Sequence, residues 1–302
     1  MNCRTAVRQR LFVAAMFVFS ATAFGQEPAP SAETEWQAVA QHISRAIATG
    51  TNEEKRDALF AIRNYRSERA SELAIPALSD PDEIVRATAA AALVFMEPSL
   101  ASKLLIFLLV DKQPFVRKEA AYALEHVASP DSIIALATAF RRDRDREVRS
   151  AAAIALGAIR SETAVVPLTE FLRTRPRDDD EFIRRSAARS IGRIAEKIRF
   201  GRASETTPQN FLPEKLKETP PEIILEIETH PAFNAADSTL RAVLANPKEA
   251  PDTRREAAFA IGAIGKPSSL AILQRYLGNP DPYLSEIARE ALLKNRTVDP
   301  LK

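Results

Sequence analysis

Alanine-rich helical segments recur along this chain at a nearly constant interval. Each opens on an apolar and a basic residue, and small residues return three and four positions later, as in Val85-Arg86 before Ala89-Ala90. The interval is about 31 residues, and a period of this length is typical of a solenoid, in which each repeat packs on its neighbours. The basic position is called the marker here. The markers are Lys55, Arg86, Arg117, Arg149, Arg184, Arg254 and Ser285, of which Lys55 and Ser285 belong to degenerate copies, and they are separated by 31, 31, 32, 35, 70 and 31 residues.

The segments around the markers predict pairs of helices. Asp80-Pro81-Asp82-Glu83 offers an N-cap and a proline for a first helical turn, and a shorter apolar segment such as Ile133 to Phe140 supplies the second helix of a pair. No alternating strand pattern is present, and glycine is scarce. We therefore expect an all-α, right-handed solenoid of about six to seven helix pairs over residues 32–293, with one expanded hairpin loop. An amphipathic helix at Ala32 to Ala48, with Trp36 on it, is expected to cap the first repeat.

Two runs of sequence carry a family resemblance. They are the Asp-Pro-Asp…Val-Arg…Ala-Ala…Ala-Leu run at 80–93 and the Ala-Val-Val-Pro-Leu run at 164–168. They resemble the HEAT-repeat superfamily, specifically its short-repeat, PBS-lyase-like branch, over roughly residues 50–293. The resemblance implies a stack of helix pairs. It says little about function, because that branch includes bilin-attaching lyases of light-harvesting antennae as well as many scaffolds.

The first 25 residues have the pattern of a secretory signal peptide. Three arginines precede an apolar stretch from Leu11 to Phe24, which is too short for the roughly 20 residues of a membrane span. Small residues follow, so that we expect cleavage near Gly25, with a site after Ala23 and an uncleaved anchor as alternatives. Residues 26–31 are then a linker and 294–302 a C-terminal tail. The sequence predicts an exported protein, periplasmic or secreted, with no transmembrane span in the mature chain.

Removal of that segment changes the charge balance. The whole chain has 42 basic and 40 acidic residues, and the segment holds three arginines and no acid, which leaves 39 against 40. A net charge near −1 gives no general case for binding nucleic acid. The single cysteine, Cys3, lies in the same segment, so the mature chain is expected to have no disulfide.

Catalytic motifs are missing from the sequence. The three histidines, His42, His126 and His230, show no metal-ligand spacing, and no nucleophile or phosphate-loop motif occurs. HEAT-like hydroxylases use paired His-Glu motifs, which this chain lacks. We therefore predict no catalytic residue, no metal and no cofactor, and favour a non-enzymatic scaffold that binds a protein partner. The alternatives are a chromophore-attachment factor of the bilin-lyase type and a nucleic-acid-binding protein. Export counts against both.

The marker arginines allow two interpretations. One is a track for anions, and the other is a structural ladder in which each guanidinium binds a loop carboxylate such as Asp80, Asp111, Asp143 or Asp180. We favour the structural ladder because every unit has both partners. Its members are Arg86, Arg117, Arg149, Arg184 and Arg254.

Arginine-rich turns precede the long step in the repeat. Residues 141–202 hold 16 basic and 10 acidic side chains. These turns are either a positive rim for an acidic partner or a solvated edge balanced by nearby aspartates. The candidate partner-binding residues there are Arg141, Arg142, Arg144, Arg173, Arg175 and Arg177.

The 70-residue step predicts an insertion within one repeat, at about residues 200–236. It carries too many apolar side chains for a purely solvated loop, and long ordered loops are often functional. It is either a flap that shapes a binding surface or a decoration packed on its neighbours. Its candidate partner-binding residues are Phe211, Leu212, Ile223 and Ile224.

Overall fold

The computed structural model describes residues 32–204, 207–217, 227 and 230–296. The predicted signal peptide and linker therefore lie outside the described residues, as do Ile223 and Ile224. Within the described ranges the chain forms helices and connecting turns without a strand. None of the helices in those ranges is both long and apolar enough to cross a membrane. Residues from Val39 onward form one compact unit, and those up to Ala38 belong to a separate one.

Fourteen α-helices make up the described chain, which confirms the predicted all-α solenoid. Short 3-10 segments, such as Glu72–Ser79, complete several of the pairs. The last helix ends at Arg296 and so extends three residues into the tail that was predicted to begin at residue 294. The helices are α1 Ala32–Thr49, α2 Asn52–Tyr65, α3 Glu68–Ser71, α4 Glu83–Ala92, α5 Pro98–Leu108, α6 Pro114–Val127, α7 Ile133–Arg142, α8 Arg146–Ala158, α9 Val165–Leu172, α10 Glu181–Phe200, α11 Ala232–Ala245, α12 Pro251–Ile264, α13 Pro267–Leu273 and α14 Pro282–Arg296.

The helices form two layers. The marker helices α2, α4, α6, α8, α10, α12 and α14 each contact the next one, and the shorter helices pack against them as a second layer. Ala89 and Ala90 of α4 and Ala152 and Ala153 of α8 are fully buried. Their small side chains allow neighbouring helices to approach closely. The alanine repeat is thus the contact surface of the solenoid.

Aspartates fix the starts of several marker helices. Asp82 accepts hydrogen bonds from the backbone N–H groups of Ile84 and Val85 at 2.9 and 3.1 Å, and Asp145 caps α8 in the same way. The cap of α4 is therefore Asp82, and Pro81 precedes the helix instead of opening it. Asp80 accepts the N–H of Asp82 and the ammonium of Lys55.

Ion pairs tie successive marker helices together. Arg86 binds both carboxylate oxygens of Asp111 at 2.8 and 2.9 Å, and Arg117 binds Asp143 likewise at 2.7 and 2.8 Å. Each pair joins a marker helix to the loop before the next one. Planar two-point pairs of this kind are among the strongest hydrogen bonds in proteins. The marker ladder therefore contributes to the stacking of the repeats.

The later marker arginines depart from this pattern. Arg149 donates to the carbonyl of Phe140, and its Nη1 lies 3.8 Å from Asp180. In the last tie it is Arg255, not the marker Arg254, that binds a carboxylate, that of Asp281. The marker Arg184 binds Glu249, and the marker Arg254 donates to the backbone carbonyl of Leu244.

The ladder predicts a defined response to acid. Burial alone would raise the pKa of Asp143, but hydrogen bonds from Arg117 and from backbone N–H groups outweigh it, so that the pKa lies below its usual value. A carboxyl with a lowered folded-state pKa stabilises the fold above its unfolded pKa of about 3.9, and this contribution is lost as pH falls through the folded pKa. We expect Asp143→Asn to lower the free energy of unfolding by about 1–3 kcal/mol at pH 7. The deficit should shrink at pH 3.

Urea denaturation at both pH values measures this difference. Asp57→Asn, which removes the same charge from an exposed position on α2, should change stability by less than about 0.5 kcal/mol at either pH. A deficit for Asp143→Asn that is as large at pH 3 as at pH 7 would contradict an ionic role.

The insertion lies between α10 and α11. Helix α10 ends at Phe200, and Gly201 follows in the left-handed conformation, with φ of 75°. Helix α11 already begins at Ala232, so the last residues of the predicted insertion, 232–236, are helical. Phe233 and Ala236 are fully buried there, which explains the earlier start.

Candidate partner-binding face

One stripe of side chains runs across all marker helices. It consists of the residues two before, one after and five after each marker, which share one side of a helix because they are three and four residues apart. We call this stripe the marker face. On α6 it is formed by Phe115, Lys118 and Tyr122, on α8 by Glu147, Ser150 and Ile154, on α10 by Phe182, Arg185 and Arg189, on α12 by Asp252, Arg255 and Phe259, and on α14 by Tyr283, Glu286 and Glu290.

Exposed aromatic rings stand beside cations on this face. Phe115 is 42% exposed and Phe182 is 49% exposed. The ammonium of Lys118 lies 5.6 Å from the centre of the Phe115 ring, and the guanidinium of Arg185 lies 4.8 Å from that of Phe182. These distances are those of cation–π contacts. The pairs give α6 and α10 the same mixed apolar and basic surface.

Helix α8 is recessed between α6 and α10. Ser150 and Ala158 are buried, and the guanidinium of Arg193 on α10 lies 3.2 Å from Glu125 on α6. Lys197 donates to the carbonyl of Ala158, and burial, together with the nearby charge of Arg193, lowers its pKa. The small side chains of α8 thus allow its neighbours to interact across it.

Acidic side chains partly balance the cations of the marker face. Lys118 pairs with Glu147 at 2.7 Å and Arg185 with Asp252 at 3.1 Å. Arg189 lies 3.3 Å from Glu256, whose pKa is raised by burial despite the arginines around it. Glu147 is largely exposed. The ion pairs of Lys118 and Arg185 are therefore partly open to solvent.

The described residues of the insertion contact the C-terminal end of the marker face. The ring of Phe211 packs against that of Tyr283 in a tilted arrangement, with centroids 4.8 Å apart and an interplanar angle of 53°. The side-chain amide of Asn210 donates to Glu286 at 2.6 Å, and the backbone N–H of Gln209 donates to Glu290. Its beginning is anchored by Ser204, which donates from its N–H and hydroxyl to the buried Glu196 of α10. The described part of the insertion therefore covers α14 and contacts α10.

A small cleft remains under the edge of the insertion. Its volume is about 240 Å³. Three arginines and two acids on α10 and α12 face it, so that it is strongly polar. The lining residues are Arg185, Arg189, Thr207, Pro208, Asp252, Arg255, Glu256, Tyr283 and Ile287.

The arginine-rich turns are only partly paired with acids. Arg141 binds Glu170 at 2.5 Å, and Arg177 lies 3.3 Å from Asp179. Arg173 is exposed, and its Nε donates to Thr239 at 3.2 Å. Within the described residues no ion pair is found for the exposed turn residues Arg142, Arg144 and Arg175. These turns belong to the α7–α8 and α9–α10 connections. Phe211, in contrast, lies in the insertion and packs against Tyr283 of α14.

The candidate binding residues predicted from the sequence differ from those that form the marker face. Phe211 is placed against α14, and Leu212 next to it is half-buried. The aromatic–cation pairs of α6 and α10 were missed, although aligning the repeats on their markers brings Phe115 and Phe182 to one register. Among the residues that the structure describes, no cluster of His, Cys, Asp or Glu could hold a metal ion.

Known proteins share the fold of this chain. Two structures of importin beta match with TM-scores of 0.51 and 0.53, at 16% and 17% identity. The matches cover 88% of this chain but only 38% and 36% of the importin chains. The complex of CpcE and CpcF of phycocyanin lyase from Nostoc matches with a TM-score of 0.44 and 20% identity, over 92% of this chain and 99% of that one. No curated protein matches significantly.

Family models agree with the repeat architecture. The model described as PBS lyase HEAT-like repeat matches residues 253–279. The model described as HEAT repeats matches residues 40–125, 71–157 and 139–199, which together make up more than half of the chain. These stretches contain the paired helices and the arginine–aspartate ladder described above, and the chain therefore belongs to the HEAT-repeat family.

Proposed function

We propose that this chain is an exported, non-enzymatic scaffold that binds a protein partner through the marker face of α6, α8 and α10. The observation that carries the proposal is the recurrence of an exposed ring beside a cation at one register of α6 and α10. Aromatic residues and arginine are enriched in protein–protein interfaces, and a few such anchors carry most of the binding energy. The described part of the insertion packs on α14, and its Thr207 and Pro208 border the cleft that Arg185 and Arg189 of α10 line.

Site-specific photo-crosslinking tests the proposal. A benzophenone amino acid replaces Phe115 or Phe182 in the full chain, and cross-linking is carried out in the envelope and secreted fractions of cells that produce it. The control position is Ile134 on α7, which is 82% exposed in the second layer. We expect one and the same protein to be cross-linked from both positions of the marker face but not from Ile134. Equal products from all three positions, or none from the face, would refute the proposal.

Export is the second component of the proposal. It is supported by the basic and apolar pattern of residues 1–25 and by the small residues before Gln26. Mass spectrometry of the protein recovered from the envelope or the medium should find an N-terminus at Gln26. A chain that stays in the cytoplasm and still begins at Met1 would remove export from the proposal and leave the binding function to its own test.

A chromophore-attachment activity is the alternative function. It is favoured by the match of a PBS lyase HEAT-like repeat to residues 253–279. An absorbance titration with an open-chain tetrapyrrole decides between the two. A saturable spectral shift that is lost in Arg189→Ala would favour the alternative.

A further inference from the structure

The insertion shows how a short segment, here the 3-10 turn Gln209–Phe211, docks on the marker face. Three consecutive residues make one contact each: Gln209 through its backbone N–H, Asn210 through its side-chain amide and Phe211 through its ring. Their partners are Glu290, Glu286 and Tyr283 of α14, which occupy the three positions of the marker face on that helix. The docked segment supplies the donors, and the helix supplies the acceptors and a ring.

The same three positions on α10 carry the opposite hydrogen-bonding character. Phe182 stands where α14 has Tyr283, while Arg185 and Arg189 replace Glu286 and Glu290. The ring is retained, but the two acceptors have become two donors that carry positive charge. A segment docked on α10 in the same way therefore has to supply carboxylates where the insertion supplies N–H groups.

We propose that α10 binds a short segment of the partner protein in which two consecutive acidic residues precede an aromatic residue. The aromatic ring packs on Phe182, and the two carboxylates bind Arg185 and Arg189. This inference rests on the proposed scaffold function and specifies the partner's chemistry. The recognised unit is the acid–acid–aromatic counterpart of the chain's own Gln209-Asn210-Phe211.

Space and charge at α10 fit such a segment. Arg185 and Arg189 line the open cleft beside the edge of the insertion, and Phe182 is half-exposed next to them. The ion pair of Arg185 with Asp252 is between groups that are each more than a third exposed, so exchange for a partner's carboxylate costs little desolvation. Arg193 follows on the same side of α10, its ion pair with Glu125 being about a quarter exposed, and adds positive charge to this end of the face.

Fluorescence anisotropy with labelled peptides tests the inference on the purified full chain. The probe is a nine-residue peptide with a central Glu-Asp-Phe flanked by glycine and serine, and the matched peptides carry Gln-Asn-Phe and Glu-Asp-Ala. We expect the Glu-Asp-Phe peptide to bind at least about ten-fold more tightly than either, because charge-assisted hydrogen bonds and ring packing each contribute. Its affinity should fall as salt is raised.

Variants of the protein complete the test. Phe182→Ala and Arg185→Ala, both at exposed or half-exposed positions, should each weaken binding of the Glu-Asp-Phe peptide by about ten-fold, whereas Arg275→Ala, at an exposed position after α13, should leave it unchanged. Equal binding of the Gln-Asn-Phe peptide, or undiminished binding by Phe182→Ala, would overturn the inference. If a partner is cross-linked from the marker face but the cross-linked segment has no acid–acid–aromatic sequence, the inference fails while the scaffold function stands.

Discussion

Replacing Arg184 by alanine is expected to lower the free energy of unfolding by about 3–5 kcal/mol, the cost of breaking a buried ion pair. The side chain of Arg184 is only 2% exposed, as is that of its partner Glu249. Its Nε donates to Glu249 at 2.9 Å, and its other nitrogens donate to the carbonyls of Leu172 and Thr174 at 3.0 and 3.1 Å. Alanine leaves a buried carboxylate and two carbonyl groups without these donors.

Urea unfolding followed by circular dichroism measures this loss. Arg144→Ala removes an arginine from an exposed turn and should cost less than about 0.5 kcal/mol. The double variant Arg184→Met with Glu249→Leu removes both charges, and it should recover much of the loss because an apolar pair needs no compensating charge. A cost below about 1 kcal/mol for Arg184→Ala would show that water reaches this pair.

The position of Arg184 also marks where prediction from the sequence stops. Arg86 and Arg117 have carboxylates 25 and 26 residues later, each in the next turn of a regular repeat, so that their pairing could be expected from the spacing. Glu249 lies 65 residues after Arg184, beyond the insertion. Only the packing of α12 against α10, which restores the repeat after the insertion, brings the two side chains together.

For the candidate site, too, local contacts could be predicted from the sequence and long-range contacts could not. The ring–cation pairs Phe115–Lys118 and Phe182–Arg185 are local, three residues apart on one helix, and they were missed although an alignment of the repeats on their markers brings them to one register. The packing of Phe211 against Tyr283 joins residues that are distant in sequence, and it depends on the path of the insertion. Apolar content alone indicated that the insertion packs on something, but it did not indicate which helix.

The glycines eight residues after the markers illustrate a question that the sequence left open. From the sequence alone, Gly157, Gly192 and Gly262 are compatible either with helix ends or with close packing of neighbouring helices. All three lie within helices, and a Cβ added at Gly157 would come within 2.8 Å of the Cα of Ser190 on the next marker helix. Their role in the structure is therefore the close approach of neighbouring marker helices.

Gly157→Val is accordingly expected to destabilise the fold by about 2–3 kcal/mol, since added volume in a close-packed contact forces α8 and α10 apart. The added Cβ would also meet the Cβ and Oγ of Ser190 at 2.6 and 2.5 Å. Ile154→Val places the same residue on the half-exposed face of the same helix and should cost at most about 1.5 kcal/mol.

Ser190→Gly in the Gly157→Val background should restore part of the stability, because it removes two of the three close contacts and leaves only the backbone one. Thermal and urea unfolding of the three variants measure these differences. If Gly157→Val were as stable as the unaltered chain, the two helices would have room to separate. The glycine would then not be what fixes their distance.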